Sequence, residues 1–372
     1  MLPDGKSHRV LIVGGSLVGL STALALAQTG ARVTVLERSG AGMHEGGGGL
    51  GVDIALIRRV TGIDNEPPVC HGRDRDTTAW HLLREWLERS VDSSPLIHTY
   101  HHAKVTNVID HGVQVEVQLS DGQRWYADAV LGADGVHSTV RRFVDPEHPD
   151  ARYAGFVLWR VMVPEVELAR VTALPERNEP SREFYADRYR LVTYPVPGSN
   201  GDDRRGHRRL NIVWYDPARE QLLRESGLLD GSVVRGSLAA IDLPQEIGME
   251  LRRVAEQTWP SPWAEALRLG FERQLAFGTP VAEYLPFRLV AGRIAIAGDA
   301  AHAASPMVGG GFRQGLNDAA QLATSFASHA DVTTMLSSYE SARLRRVRDH
   351  VEGSMRASRL YLDRGSTDSN SP

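Results

Sequence analysis

The chain has one cysteine, Cys70, among 372 residues, and two lysines, Lys6 and Lys104, among 42 basic residues. One thiol cannot close an internal disulfide, and no Cys/His cluster has zinc-ligand spacing, so neither a disulfide framework nor a metal site is expected. The near-exclusive use of arginine reads as coding bias of a high-GC genome. No apolar run approaches the roughly 20 residues of a membrane span. The start of the chain lacks a small-residue cleavage site behind a short apolar core, so a cytoplasmic location is expected. A formal net charge of −4 gives no electrostatic reason to expect nucleic acid or an anionic membrane as partner.

What is present is ordinary globular material: 42% hydrophobic and 24% charged residues. That excludes a disordered chain, a coiled coil and a collagen. The length suggests about two packed units, and no internal repeat is visible.

Arg9 to Val13 is a short apolar run suited to a strand buried on both faces of a parallel sheet. Gly14-Gly15-Ser16 follows, then an Ala/Leu-rich helix to Gln28, then a second strand, Val33 to Glu37: a β–α–β unit. Gly40 to Gly51 contains seven glycines and reads as a loop whose backbone something approaches closely. Thr78 to Arg89 reads as a helix. Val113 to Leu119 alternates as a half-buried strand, Asp121-Gly122 is a hairpin turn, and Ala129 to Leu131 is a further strand. Phe184 to Tyr215 is β-rich, and Glu220 to Gly270 reads as mostly helical. Ile294 to Ala297 is another buried strand; Gln314 to Ser328 and Thr334 to Tyr361 are helices. Ser366 to Pro372 is a polar tail. The second half of a dinucleotide fold is missing near the start, which points to a discontinuous nucleotide domain with another domain inserted.

Three motifs carry chemistry. In the first, Gly14-Gly15-Ser16-Leu17-Val18-Gly19, Gly14 allows a sharp turn and Gly19 lets the helix pack on the sheet. The helix start offers N–H groups to a pyrophosphate, and Glu37 ends the next strand, where a carboxylate can accept from a ribose. Ser16 replaces the middle glycine of the usual fingerprint. A plain structural glycine turn would look similar. The second, Gly132-Ala133-Asp134-Gly135 to Arg141, also suits a β-turn and helix start capped by Ser138. The third runs from Gly298-Asp299 to Phe312. Asp299 ends a buried strand, where open α/β sheets place ligands, and Gly309 to Gly311 open a helix whose N–H groups can face negative charge. A reduced isoalloxazine carries charge of that kind.

These motifs, in this order, make the sequence resemble the class A flavoprotein monooxygenases, built like p-hydroxybenzoate hydroxylase, over about residues 8–350. Tyr153-Ala154-Gly155, Trp159-Arg160 and Tyr194-Pro195-Val196-Pro197-Gly198 followed by Leu210-Asn211 are most similar to the dihydroxypyridine hydroxylase branch. The resemblance implies an α/β chain, α+β overall. Residues 1–75, 98–158 and 285–330 would form a Rossmann-type FAD-binding domain. Residues 76–97 and 159–284 would form an inserted mixed β-sheet substrate domain, 331–363 a C-terminal helix and 364–372 a disordered tail.

By the same resemblance, Gly14, Gly15, Ser16 and Leu17 would lie along the FAD pyrophosphate. Glu37 and Arg38 would hold the adenosine, with Val105 facing the adenine. Asp299 would hold the ribityl chain. Pro306, Gly309, Gly311 and Phe312 would border the flavin ring, with Gly49 and Leu50 on its other side. Asp134 would serve FAD and NADH or NADPH together. Relatives carry an arginine near Thr78–Leu82 that touches the flavin; Thr78-Ala79-Trp80 stands there instead, so that contact is lost or replaced. The reaction implied is hydroxylation of a small aromatic or heteroaromatic substrate by dioxygen through a flavin C4a-hydroperoxide, in a monomer or homodimer. Tyr194, Trp214 and Pro306 are candidate substrate contacts. His302 and Tyr194 are candidate catalytic groups, and each is equally an ordinary packed residue. Tyr185 and Asp53 are weaker candidates. A related epoxidase, Baeyer–Villiger-type oxygenase, oxidase or reductase would keep the same motifs. A non-catalytic flavin-binding protein would not need the late glycine path. A halogenase is disfavoured, because no two tryptophans stand two apart.

Overall fold

The computed structural model describes residues 7–40, 48–168, 182–239 and 242–367. Strand β1 (Arg9–Val13), helix α1 (Leu17–Ala27) and strand β2 (Arg32–Leu36) form the expected unit, with β1 and β2 parallel. Every residue of β1 after Arg9 is buried, as a strand covered on both faces requires. Then come β3 (Gly49–Val52), α2 (Ile54–Thr61), β4 (Asp76–Ala79), α3 (Trp80–Asp92) and β5 (Ile97–Tyr100). The expected helix thus begins later than Thr78. Thr77 and Thr78, β-branched, pair with Gly51 and Leu50 of β3 instead.

Strands β6 (Val105–Asp110), β7 (Val115–Leu119) and β8 (Arg124–Ala127) make a small antiparallel sheet beside the main one. β9 (Ala129–Gly132) returns to lie parallel to β1, and the strand Ile294–Ile296 lies parallel to β9. The six-stranded sheet is completed by β5 at one edge and the short strand Val290–Ala291 at the other. Helix α1 packs against α2, α3 and, from the far end of the sequence, α9 (Gly311–Ser328).

After the four-residue helix α4 (Arg141–Val144), β10 (Arg152–Pro164) opens a second, eight-stranded sheet with β11 (Arg182–Ala186), β12 (Tyr189–Val196), β13 (Arg209–Asp216) and the strand Phe277–Glu283. All of β10 belongs to this sheet, and α3 packs on α1. Residues 80–92 thus pack with the first sheet's layer, and the second sheet's first strand starts at Arg152. The stretch Glu220–Gly270 is less helical than expected. Between α5 (Glu220–Glu225), α6 (Gln245–Thr258) and α7 (Trp263–Glu272) it holds three two-residue strands, which Gly227 and Gly231, both at positive φ, allow the chain to turn into. The short helix α8 (Asp299–His302) follows, α9 packs on α1, and the long α10 (Val332–Thr367) packs on α9 and on β10 and the strand Phe277–Glu283 of the second sheet. The last five residues of the expected tail lie outside the described residues. Among those described, no helix is long and apolar enough to cross a membrane.

Candidate active site

A cavity of about 860 Å³ opens at the carboxyl ends of β1, β2 and β9 and extends to one face of the eight-stranded sheet. Its first end is made largely of backbone. Gly14, at φ +106°, donates its N–H to the Leu36 carbonyl; a Cβ there would stand 2.4 Å from the Ala133 carbonyl oxygen. Gly19 lies so close to Gly14 that a Cβ would meet its carbonyl oxygen at 1.9 Å. Ser16 is the N-cap of α1, yet its side chain makes no capping bond. Ser16 and Leu17 line the cavity, while Gly15 does not. The Gly15 N–H is already given to Glu37 Oε2 at 2.7 Å, and Glu37 Oε1 receives the Ser39 N–H at 2.8 Å. Burial would raise the Glu37 carboxyl, but these two amides and the nearby Arg84 outweigh it and hold it below the usual range. Arg38 and Val105 line the same end.

Asp134 accepts from the Ser138 hydroxyl and the Thr139 and Val140 amides, so it shapes the turn of the second motif. Burial nevertheless pushes its carboxyl up. From that turn Arg141 reaches the carbonyls of Val136, Pro149 and Ala300, at 2.5, 2.8 and 3.1 Å, with its guanidinium 4.3 Å over the Tyr284 ring. The second motif is thereby tied to the start of α8. Asp299, at that start, faces the cavity. Its side chain is exposed to that space, and desolvation by the surrounding wall raises its carboxyl against the opposing influence of His302 and Arg160. Beyond it Gly309 and Gly310 have φ of +61° and +81°, and the space where a Cβ of Gly309 would stand holds no atom within 4 Å. Pro306, Gly309, Gly311 and Phe312 border this open space. The bare glycine path, a helix start beside it and a carboxylate facing it fit the ribityl chain and ring of FAD.

The opposite end is made of side chains. Val192 and Tyr194 on β12, Val213 and Tyr215 on β13, and Arg160 on β10 face the cavity. Tyr194 pairs with Asn211 across the strands and Trp214 with Leu191. The two aromatics therefore point to opposite faces of the sheet, since side chains alternate. Trp214 is fully buried behind it, edge-on to Tyr189, Trp259 and Phe271, and does not reach the cavity as expected. The Tyr194 hydroxyl donates to the Gly49 carbonyl at 2.8 Å, and burial pushes its pKa up to about 12. Its proton is held on that carbonyl. Gly49 and Leu50 line the cavity from the other side, and the Gly49 N–H donates to Asn211 Oδ1 at 2.7 Å.

His302 is fully buried outside the cavity, with Nε2 2.6 Å from Asp318 Oδ2. The structure corrects its candidacy too: it braces the loop rather than meeting a substrate. Tyr185 is exposed and bonded to Glu183. Asp53 lines the cavity but caps α2 through the Leu56 N–H. Sequence reasoning missed Arg84 and Asp318. Arg84 lines the cavity one turn after Trp80, which its guanidinium overlies, and it pairs with Glu88. Asp318 lies on the buried stripe of α9 with Gly315 and Leu322; an acid on an apolar stripe was the available signal.

Family models match three successive stretches: pyridine nucleotide-disulphide oxidoreductase over residues 2–146, FAD binding domain-like over 153–270, and FAD binding domain over 278–354. The chain is 28% identical over 364 residues to 2,6-dihydroxypyridine 3-monooxygenase of Paenarthrobacter nicotinovorans, covering 91% of this chain and 87% of that one. It is 26% identical over 352 residues to salicylate hydroxylase of Pseudomonas putida, covering 85% and 75%. Among solved structures, 2,6-dihydroxypyridine-3-hydroxylase from Arthrobacter nicotinovorans has a TM-score of 0.79 at 24% identity, covering 96% of this chain and 94% of that one. A Klebsiella pneumoniae protein complexed with FAD and uric acid has a TM-score of 0.70 at 21% identity, covering 95% and 89%. At these identities the structural likeness speaks for the fold.

Proposed function

We infer the activity of this chain from its kinship: it belongs to the FAD-binding class A aromatic hydroxylases, and we propose that it is an NAD(P)H-consuming monooxygenase of an aromatic or heteroaromatic ring. One observation carries the reading. A single cavity joins a backbone-made end, with the Gly14 turn and the Gly309–Gly311 path, to an end walled by Val192, Tyr194 and Val213. A redox coenzyme and a flat apolar substrate need that juxtaposition, and a plain dinucleotide site does not.

In this reading Gly14, Ser16 and Leu17 follow the pyrophosphate at the start of α1, while Glu37 and Arg38 take the adenosine beside Val105. Asp299 accepts from ribityl hydroxyls. Pro306 and Gly309 to Phe312 flank the ring on one side, Gly49 and Leu50 on the other. Bound FAD, once reduced by NADH or NADPH, supplies the activated oxygen. The chain itself orients the arene against the sheet face, keeps water from it and holds the Tyr194 proton on the Gly49 carbonyl. The sheet topology supports a cofactor unit built on the six-stranded sheet and a substrate unit built on the eight-stranded one.

The test is to purify the protein, reconstitute it with FAD and follow NADH and NADPH oxidation with phenols, hydroxypyridines and larger aromatics under isotopically labelled dioxygen. The expected outcome is a yellow protein whose cofactor oxidation rises with some aromatics and whose product carries the label. An unlabelled product, or a protein that stays colourless, overturns the reading.

A further inference from the structure

The loop that borders the coenzyme end is held from behind by α10. Ser305, which precedes Pro306, gives its N–H to Ser354 Oγ at 2.7 Å. The Ser354 hydroxyl in turn donates to Glu283 Oε1 at 2.5 Å, at the end of a strand of the second sheet. Ser305 and Ser354 are both buried. A serine hydroxyl has one proton to give, so the carboxylate fixes its direction and leaves its lone pairs to the amide. Pro306 has no N–H, and the Met307 N–H is used within the loop, on Ser305 Oγ. From Ser305 to Met307 the loop therefore has one amide with which to anchor itself outward, and α10 takes it. The residues before are fixed separately, by the Tyr284 N–H on the Ala303 carbonyl.

The same face of α10 grips the other wall. Tyr361 follows Ser354 by two helical turns, about 10 Å along the axis. It donates its hydroxyl at 2.9 Å to the carbonyl of Tyr215, whose side chain lines the cavity. Between the two, Ser358 gives a second bond to Glu283 Oε1 at 3.0 Å and, among the described residues, bonds nothing in the loop. Met307 packs into the cluster of Phe156, Tyr215 and Tyr361. One stretch of helix thus touches the glycine loop and the substrate sheet together.

We propose that this face of α10 is a strut that sets the loop against the substrate sheet, and that Ser354 is the positioning residue through which flavin ring and arene keep their register. The positioning role rests on the hydroxylase reading; the strut itself does not. Oxygen transfer needs the reacting atoms held in contact and aligned. One atom of dioxygen then enters the arene and the other leaves as water. With the register lost, the same NAD(P)H and dioxygen give hydrogen peroxide and an unchanged arene. A loosened loop therefore loses product before it loses flavin.

Two measurements test this. The first is amide hydrogen exchange over residues 303–313 of the full chain, with and without FAD. Ser354→Ala should speed exchange there about tenfold, as one buried bond is lost, and leave β1 and α1 as they are. Ser354→Thr, which keeps the hydroxyl, should restore most of the protection, and Glu283→Gln, a neutral acceptor of the same shape, should fall between. The second is the ratio of product formed to NAD(P)H consumed, with phenols, salicylate and hydroxypyridines as the arenes. Ser354→Ala should lower that ratio about twofold or more, with flavin content and KM near wild type, while Ser358→Ala should change neither reading. Wild-type exchange in Ser354→Ala overturns the proposal. So does a faster loop with an unchanged product ratio, and so does a Ser358→Ala variant that matches Ser354→Ala, because the effect would then lie in the buried carboxylate. Exchange needs no turnover, so a chain that hydroxylates nothing defeats the hydroxylase reading while the strut is judged on exchange alone.

Discussion

The two ends of the cavity are made of different material. At the coenzyme end the wall is backbone: Gly14 at φ +106°, Gly309 and Gly310 at positive φ, and a helix start whose Ser16 makes no capping bond. At the other end it is side chain: Arg160, Val192, Tyr194, Val213 and Tyr215 standing at alternate positions of three strands. At the Gly14 turn the backbone wall tolerates no added atom, because the clash is with the Ala133 carbonyl, which cannot rotate away. A side-chain wall accepts new residues at little cost to the strand that carries them. One end is thus fixed by geometry and the other free to change its ligand.

The strongest way to break the first end is to remove what braces it from behind. Asp318 receives His302 Nε2, Arg343 Nε at 2.7 Å and the Gly298 N–H at 3.0 Å, all buried. Asp318→Ala leaves Arg343 uncompensated and should cost about 3–5 kcal/mol, read as a fall in denaturation midpoint together with flavin loss. Burial alone would raise the Asp318 carboxyl, but His302, Arg343 and the Gly298 amide outweigh it and hold it below 3.8. A carboxylate depressed in the folded state stabilises above its unfolded value and loses that contribution as pH falls through the folded one. The gap between wild type and variant should therefore shrink on acidification. A gap constant with pH would detach Asp318 from this role.

Gly19→Ala attacks the same end from its backbone. The new Cβ would lie 1.9 Å from the Gly14 carbonyl oxygen, so α1 must move off the turn. The expected cost is about 3 kcal/mol, measured by denaturant titration, with a larger proportional loss of bound flavin. A variant of normal stability and flavin content would mean that the turn is softer than its contacts imply.

The contrast also governs how much the sequence disclosed. Gly14, Gly19, Gly298 and Gly309 are legible because only glycine satisfies their φ or their contacts, so a backbone-made site leaves its mark on residue type. The β–α–β unit and the strand before Asp299 followed from apolar runs for the same local reason. The wall on the second sheet left no such mark. Tyr194 and Trp214 look alike in sequence, and only the antiparallel register, Tyr194 opposite Asn211 and Trp214 opposite Leu191, sends them to opposite faces. Register depends on turn and partner strand, which local pattern does not reveal. His302 misled in a similar way: its nearness to Asp299 in sequence is real, but α8 turns it inward to Asp318.

Asp299→Asn separates stability from binding at the coenzyme end. Asp299 is exposed to the cavity, so solvent screens most of what raises its carboxyl in the flavin-free chain. Loss of the charge should leave the denaturation midpoint of the flavin-free protein near wild type, within about 0.5 kcal/mol. It should also weaken FAD binding about tenfold, as a charge-assisted acceptor becomes a neutral amide. Flavin fluorescence titration and thermal melts read the two effects independently. If the melting midpoint fell while flavin affinity held, the carboxylate would be structural and its place at the cavity incidental.

The smallest effect is expected where the two ends meet. Tyr194 donates to the Gly49 carbonyl and Asn211 accepts from the Gly49 N–H, so the second sheet grips both polar groups of the first residue of β3, which lines the cavity. Tyr194→Phe keeps the ring in the wall and deletes one of these bonds, worth about 1 kcal/mol. Stability should fall by no more than that, and aromatic ligands should still bind, because the ring face is retained. The sharper readout is the flavin spectrum on ligand addition. With one of the two bonds gone, the start of β3 at Gly49 follows the sheet less closely, and the ligand-induced shift of the bound flavin should diminish while its affinity stays near wild type. An unchanged shift would make the Asn211 bond sufficient by itself and would leave the tyrosine hydroxyl as packing alone.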